Sequence, residues 1–154
     1  MARFCPLYSG SSGNSIYLSA GGTSLLVDVG VSCKALVTAM SQRELDPAGL
    51  GGILVTHEHS DHVQGLRVFL KRYSLPVYGS SETLDYLTAY DKVPSGATLV
   101  PVEPGRPFAV GNLMATAFDT PHDSVHSVGY RVETPDGHHI GIATDLGHYS
   151  RQVR

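Results

Sequence analysis

The chain has 154 residues, 42% of them hydrophobic and 16% charged, which fits one compact domain over residues 1–154 and excludes a disordered chain. Its formal net charge of -3 argues against a globally basic nucleic-acid binder, although it leaves room for a local basic face. The sequence contains no apparent membrane span or secretion signal, and its 2 cysteines are too few for a disulfide scaffold, so we expect a soluble protein of the reducing cytoplasm.

Short strands joined by turns are predicted for the N-terminal part of the chain. The strands cover Arg3–Tyr8, Ile16–Ser19 and Ser24–Val29, and Gly21–Gly22 closes a hairpin between the last two. The loop Ser9–Ser15 consists of small residues that tolerate positive φ and can turn several backbone N–H groups toward one point. This loop is either an anion-binding turn or an ordinary flexible connection.

Helices alternate with strands in the middle of the chain. Ser32 can cap a helix over Cys33–Glu44, which Asp46–Pro47 ends. A continuous apolar run in the strand Gly52–Thr56 indicates burial on both faces. The elements that follow are a helix over Val63–Arg72, a strand over Pro76–Gly79 and a helix over Ser81–Ala89.

Antiparallel hairpins are predicted from Leu99 onward. Pro107–Val110 and Leu113–Asp119 flank a two-residue turn, residues 128–132 alternate in polarity, and Ile140–Thr144 forms the final strand. Because there is no repeat, low-complexity tract or linker, the order of elements predicts an α/β (α+β) fold around one core.

Three of the 8 histidines lie within six residues, directly after the buried strand. The segment Thr56–His62 emerges at a strand's carboxyl end, where open α/β sheets place their sites. His57 and His59 are two residues apart, so an extended backbone turns both imidazoles to one side. Asp61 and His62 approach from the turn into the next helix. We therefore predict a site for two divalent cations, and imidazole with carboxylate suits zinc, manganese or iron.

Two other interpretations of this cluster fit less well. The helical H-E-x-x-H motif of zinc proteases begins in the same way at His57, but it requires histidine where this chain has Asp61. A solvated histidine loop would bring imidazoles together beside acids, at a cost in desolvation and in like-charge repulsion at low pH, unless a cation binds them. Metal binding is therefore the favoured interpretation.

Two later residues are ambiguous when each is considered alone. His122 lies in a loop after a strand, where histidine is commonly a surface or hydrogen-bonding residue. Asp145 closes an apolar strand, as Asp28 does earlier, and an acid at a strand end is frequently a cap or turn former. Spacing alone leaves both roles open.

The histidine cluster resembles the H-x-H-x-D-H motif of the metallo-β-lactamase-fold metallohydrolases. The acid that ends an early strand of that family, its isolated downstream histidine and the acid that ends a later strand have matches at Asp28, His122 and Asp145. Narrower matches, similar to the YycJ/WalJ-type branch regarded as DNA exonucleases, lie at Ser9–Ser15, His122–Ser124 and Thr144–Gly147. The resemblance covers nearly the whole chain and implies a four-layer αββα sandwich with a site along its edge.

The resemblance also implies roles for the site residues. One cation would be held by His57, His59 and His122, and the second by Asp61 and His62, with Asp145 bridging. The residues implied to be catalytic are Asp61, His122 and Asp145, and those implied to orient the ligand histidines are Asp28 and Asp123.

The family continues for a further strand and helix and supplies another histidine ligand, so the fold is expected to be incomplete at its C-terminus. His148 is the only histidine after Asp145 and is the candidate replacement ligand. Missing outer strands and helices would leave apolar sheet surface exposed, so self-association is also expected.

Hydrolysis is the expected chemistry. Two adjacent cations can lower the pKa of a water that they share to about 7 and hold the resulting hydroxide against an electrophile. The resemblance implies that the substrate is a phosphodiester in DNA. The groups that would bind it are the N–H donors of Ser11, Ser12, Gly13 and Asn14 and a basic track of Arg67, Lys71, Arg72 and Arg106. The alternatives are a hydrolase of a thioester, lactone or β-lactam, and a metal-binding domain without activity.

Overall fold

The computed structural model describes residues 3–9, 13–120 and 127–142, and the backbone of residues 143 and 148–150. The strands are β1 (Arg3–Tyr8), β2 (Ser15–Ala20), β3 (Thr23–Val27), β4 (Ile53–Leu54), β5 (Val77–Gly79), β6 (Leu99–Pro101), β7 (Phe108–Val110), β8 (Leu113–Asp119), β9 (Val128–Glu133), β10 (His139–Ala143) and β11 (His148–Ser150). The α-helices are α1 (Cys33–Gln42), α2 (Ser60–Val63), α3 (Leu66–Arg72) and α4 (Ser81–Ala89), and a 3₁₀ turn covers Pro47–Gly49.

The strands form two sheets. The first is 6-stranded in the order β1-β2-β3-β4-β5-β6, antiparallel from β1 to β3 and parallel from β3 to β6. The second is 5-stranded, antiparallel throughout, in the order β11-β10-β9-β8-β7. Parallel strands need crossovers, and helices supply them in the first sheet, which leaves the carboxyl ends of β3, β4 and β5 at one edge.

Two apolar cores separate three layers. One core lies between the helices and the first sheet, and the other lies between the two sheets. The short strand β4 contributes to both, because Ile53 faces the helices and Leu54 faces the second sheet. Among the residues that the structure describes, every α-helix packs on the first sheet, so the mixed α and β architecture is confirmed as helices, sheet and sheet.

Tyr130 joins the two sheets directly. Its side chain on β9 is fully buried, and its hydroxyl donates to the carbonyl oxygen of Val55 at 2.7 Å, immediately after β4. Burial raises the pKa of the Tyr130 phenol well above its ordinary value, and the nearby Asp28 carboxylate raises it further. The phenol therefore stays protonated and keeps its hydrogen bond over the neutral pH range.

Most predicted elements differ from the structure by one or two residues at an end, as in the strand predicted over Gly52–Thr56, which covers Ile53–Leu54. Two differences affect the candidate site. Strand β3 ends at Val27 instead of Val29, because Asp28 has a left-handed backbone with φ 66. The helix predicted over Val63–Arg72 begins later, at Leu66, and a separate short helix, α2, covers Ser60–Val63 before it. The N–H of Gly65 donates to the carbonyl oxygen of Val29 at 3.0 Å, so this turn is bonded to the segment after β3 and not to a continuous helix.

Candidate metal centre

Some of the predicted site residues that the structure describes lie at the carboxyl edge of the parallel strands. Asp28 follows β3, and the segment Thr56–His62 follows β4, its neighbour in the sheet. This edge is where open α/β sheets bind ligands, because successive loops converge there. The position expected from the sequence is therefore the position observed.

Three side chains of the histidine cluster converge. One ligand atom from each of His57, His59 and Asp61 lies within 4.8 Å of the other two. The rings of His57 and His59 meet edge to face with centroids 4.8 Å apart, and the His62 ring lies 3.9 Å from that of His57. His57 and His62 are 1% and 3% exposed, whereas Asp61 keeps 31% of its side chain open to solvent. The cluster is therefore buried at one side and accessible at the other.

Asp28 organises this cluster from behind. Its carboxylate is 0% exposed and accepts hydrogen bonds from Thr56 through both oxygens, from the backbone N–H at 2.8 Å and from the hydroxyl at 2.7 Å. The same Oδ2 lies 2.6 Å from His62 Nδ1. A carboxylate only accepts, so His62 carries a hydrogen at Nδ1, and in the neutral imidazole its Nε2 carries the lone pair.

Thr56 extends the same arrangement to His57. Its Oγ1 lies 3.0 Å from His57 Nδ1, while its single hydroxyl hydrogen is given to Asp28. Thr56 Oγ1 must therefore accept from His57 Nδ1–H, which leaves His57 Nε2 as the lone-pair atom. One buried carboxylate thus fixes the tautomers of two histidines, one directly and one through a hydroxyl.

The donor set and its surroundings fit a divalent cation. Imidazole nitrogens and a carboxylate are the ligands that zinc and manganese accept. Metal-binding histidines characteristically donate their other ring N–H to a carboxylate or a similar acceptor, as His57 and His62 do here. The described residues therefore include suitable ligand atoms for a metal ion and the hydrogen-bond acceptors that orient two of the ligand histidines.

Other predicted site residues are placed differently or lie outside the described residues. Gly13 and Asn14 are buried at the start of β2, and the Asn14 side chain is directed at Asp61 and His62. The predicted residues that lie outside the described part are Ser11, Ser12, His122, Asp123 and Asp145, together with the side chain of His148. Strand β9, which follows these two residues in the sequence, is close to the cluster, since Val128 N–H donates to the carbonyl oxygen of Thr56 at 3.0 Å.

The predicted basic track is largely on the surface. Arg67 lies 3.5 Å from the Asp91 carboxylate, and Arg106 lies 3.3 Å from that of Glu103. Lys71 and Arg72 are exposed at the end of α3. Their charges are available to a polyanion, but exposed ion pairs reduce the contribution of the two paired arginines.

Sequence reasoning missed the structural role of Thr56 and Gly30. A hydroxyl directly before the first histidine is the sequence signal that points to Thr56. Nothing in the sequence singles out Gly30, whose importance comes from a close approach, since a Cβ there would lie 1.9 Å from the carbonyl oxygen of Asp61.

A family model described as a Beta-lactamase superfamily domain matches residues 23–154. The chain therefore belongs to the metallo-β-lactamase superfamily, whose fold and metal-binding character agree with the cluster described above. None of the helices in the described part of the chain has the length and apolar character that a membrane span requires.

Similar curated proteins include two exodeoxyribonucleases. The chain is 33% identical over 153 residues to exodeoxyribonuclease YycJ of Bacillus anthracis, covering 99% of this chain and 57% of that protein. It is 33% identical over 154 residues to exodeoxyribonuclease WalJ of Streptococcus pneumoniae, covering 98% of this chain and 56% of that one. The chain thus spans little more than half the length of these relatives.

Solved structures support the fold. The metallo-β-lactamase fold protein YhfI from Bacillus subtilis matches with a TM-score of 0.73 and 19% identity, over 92% of this chain and 61% of that one. A metallo-β-lactamase variant from Cronobacter sakazakii matches with a TM-score of 0.74 and 18% identity, over 88% of this chain and 59% of that one. The predicted metallo-β-lactamase-like fold is confirmed.

Proposed function

We propose that this chain carries the metal centre of a metal-dependent phosphodiesterase that degrades DNA as an exonuclease. The observation that carries the proposal is the convergence of His57, His59 and Asp61 within 4.8 Å, in a chain 33% identical to two exodeoxyribonucleases. The proposal has two parts: the chain is a hydrolase of this superfamily, and its substrate is a nucleic acid.

The chain's own residues would divide the work of holding two cations, zinc or manganese. His57, His59 and His122 would hold one, and Asp61 and His62 the other, with Asp145 between them. When bound, such cations supply Lewis acidity and an activated water, which suits displacement at phosphorus. Asp28 keeps its role whichever cation binds, because its hydrogen bonds fix His62 and, through Thr56, His57. Asp123 would do the same for a ligand on the later loop.

Substrate binding would use the loop before β2 and the exposed cations. The backbone N–H groups of Ser11, Ser12 and Gly13 are proposed to face a phosphate, and Lys71 and Arg72 on α3 would attract the backbone of DNA. Cytoplasmic location and self-association through the outer face of the second sheet remain predictions. Met114, which is 43% exposed and alternates with the inward-facing Leu113 and Ala115, lies on that face.

The direct test is cleavage of end-labelled DNA by protein loaded with manganese or zinc. We expect the unchanged chain to shorten the DNA from an end, and His59→Ala and Asp61→Ala to lose this activity while remaining folded. His138→Ala is the matched control, because His138 is 64% exposed on the β9–β10 turn and should leave cleavage unchanged. Binding should weaken steeply as salt rises, since phosphate contacts release counterions.

The alternatives give different results in the same experiment. Hydrolysis of a thioester, lactone or β-lactam by metal-loaded protein that neither binds nor cuts DNA would replace the proposal with a small-molecule hydrolase. Bound metal without turnover of either substrate class would leave a metal-binding domain without activity.

A further inference from the structure

Asn14 is held in a fixed position beside the metal centre. Its side chain and backbone are buried, with 7% of the residue exposed. Its backbone N–H donates to the carbonyl oxygen of Asp61 at 2.8 Å, and its own carbonyl oxygen accepts from Gly30 N–H at 2.8 Å. The main chain of Asn14 is thus bonded both to the segment after β3 and to α2, so its side chain leaves from a constrained point.

The amide nitrogen of Asn14 lies among three acceptors. Nδ2 is 3.1 Å from the carbonyl oxygen of Asp61, 3.4 Å from Asp61 Oδ2 and 3.3 Å from His62 Nε2. Both Asp61 oxygens can only accept, so the nitrogen end of the amide must face them. In the neutral imidazole, the form that can bind a cation, His62 Nε2 also accepts, because the hydrogen of that ring is at Nδ1 facing Asp28.

This nitrogen lies beside two atoms that are proposed to hold the second cation. Asp61 Oδ2 and His62 Nε2 are 3.6 Å apart, and Asn14 Nδ2 is within hydrogen-bonding distance of both. A cation bound to His62 Nε2 needs the single lone pair of that nitrogen, which faces the Asn14 amide. An N–H donor and a cation cannot share this lone pair, whereas the Asp61 carboxylate has further lone pairs and can accept from Asn14 while it binds a cation.

We infer that the Asn14 side chain is a placeholder for the second cation, so that the two metal positions fill in order. The position held by His57 and His59 fills first, and the Asp61–His62 position fills only when the Asn14 amide gives up its hydrogen bond to His62. The hydrogen bond to the Asp61 carbonyl oxygen can persist in both states. This inference rests on the two-cation centre proposed above and makes Asn14 a positioning residue for its second half.

The test is calorimetric titration of metal-free protein with manganese or zinc, which follows the binding steps without any need for activity. Asn14→Ala removes the amide, and the second step should tighten by about tenfold, the value of one hydrogen bond no longer exchanged. Asn14→Asp preserves the size of the side chain and puts a carboxylate at the same place, so the second step should tighten further. The first step should change by less than about twofold in both, since the hydrogen bond exchanged involves only His62.

Asn112→Ala is the matched control. Asn112 is exposed on the turn between β7 and β8, its Nδ2 donates to the carbonyl oxygen of Gly21, and both steps should be unchanged in this variant. Thermal unfolding of each metal-free variant checks that the fold is kept, and the isosteric Asn14→Asp variant provides the result if Asn14→Ala does not fold.

Two outcomes would overturn the inference, and they are distinguishable. If the unchanged chain binds two cations but the second step is equal or weaker in the folded Asn14 variants, the amide supports the site or is indifferent to it, and only the placeholder role fails. If the unchanged chain binds no cation, the proposed metal centre fails together with this inference.

Discussion

Asp28 has an unusual backbone conformation, and its carboxylate orients two histidines of the cluster. It follows β3 in a left-handed conformation, φ 66, which asparagine and aspartate tolerate better than other residues with a Cβ. This conformation ends the strand and turns the carboxylate toward Thr56 and His62, where it accepts from both. Two histidines thereby present Nε2 lone pairs to the same region.

Asp28→Asn tests this role without disturbing the backbone. The amide cannot accept at both ends, so the Nδ1–H groups of His62 and, through Thr56, of His57 lose their fixed acceptor. We expect affinity for manganese or zinc to fall by about 10- to 100-fold, as is usual when a group that orients a metal ligand is removed. Calorimetric titration measures the change.

Asp91→Asn is the matched control for that variant. Asp91 also has a left-handed backbone, φ 59, but its side chain is 72% exposed. Metal affinity equal to that of the unchanged chain is expected for Asp91→Asn, and the same result for Asp28→Asn would contradict the role assigned to Asp28.

At the scale of single residues, the cluster was predictable because it is local. His57, His59 and Asp61 lie within five residues, so the spacing alone brings their side chains together. The contacts of Asn14 were not predictable, because they join residues 47 positions apart and depend on how two loops pack. Its predicted role in substrate binding remains a prediction, while the side chain is directed at the metal ligands.

The short helix α2 carries two predicted ligands but cannot be stable alone. A helix of 4 residues lacks the length that makes helix formation favourable. It is held by bonds from other segments, since Asn14 N–H donates to the carbonyl oxygen of Asp61 and Val29 N–H to that of His62. The sequence did not predict α2 as a separate element, because these tertiary bonds hold its residues in the helix.

Gly30→Ala tests the packing that positions α2. A Cβ at Gly30 would lie 1.9 Å from the carbonyl oxygen of Asp61 and 2.6 Å from the backbone nitrogen of Asn14, so backbone must move. We expect a loss of about 1–3 kcal/mol or more in the free energy of unfolding, together with weaker metal binding. Urea denaturation and metal titration measure the two effects.

Gly49→Ala serves as the control for this substitution. A Cβ at Gly49 meets nothing within 4 Å, so stability and metal binding should both be close to those of the unchanged chain. Equal stability of the Gly30 and Gly49 variants would show that the close contact between Gly30 and the carbonyl oxygen of Asp61 does not constrain α2.

At the scale of the whole molecule, the two sheets are joined by apolar packing and by the Tyr130 hydrogen bond. Helix and strand identities, the buried strand before the cluster and the late antiparallel hairpins followed from periodicity and turn chemistry. The packing of the two sheets against each other could not be predicted from these patterns, because the hydroxyl of Tyr130 donates to a carbonyl oxygen 75 residues away. Long-range pairing of this kind leaves no local pattern.

Tyr130→Phe tests the connection between the sheets. The substitution leaves the buried carbonyl oxygen of Val55 without this donor, so the free energy of unfolding at neutral pH should fall by about 1–3 kcal/mol. Tyr90→Phe, at a tyrosine that is 62% exposed, is the control and should change stability little.

The effect of Tyr130→Phe should also depend on pH. The folded-state pKa of Tyr130 is raised above its ordinary value of 10.0. The stabilisation that its protonated hydroxyl gives the folded chain is therefore complete below about pH 10, and it is lost as pH rises toward the folded-state pKa. The difference in unfolding free energy between the unchanged chain and the variant should therefore narrow above about pH 10. A difference that stays constant or widens there would contradict a buried, protonated phenol.

The most direct test of the central claim is the amount of metal bound per chain after equilibration with manganese or zinc and removal of excess. We expect about two cations for each unchanged chain and a clear loss in His59→Ala and Asp61→Ala, with His138→Ala unaffected. Unchanged protein that retains no transition metal, or variants that retain as much as the unchanged chain, would contradict it.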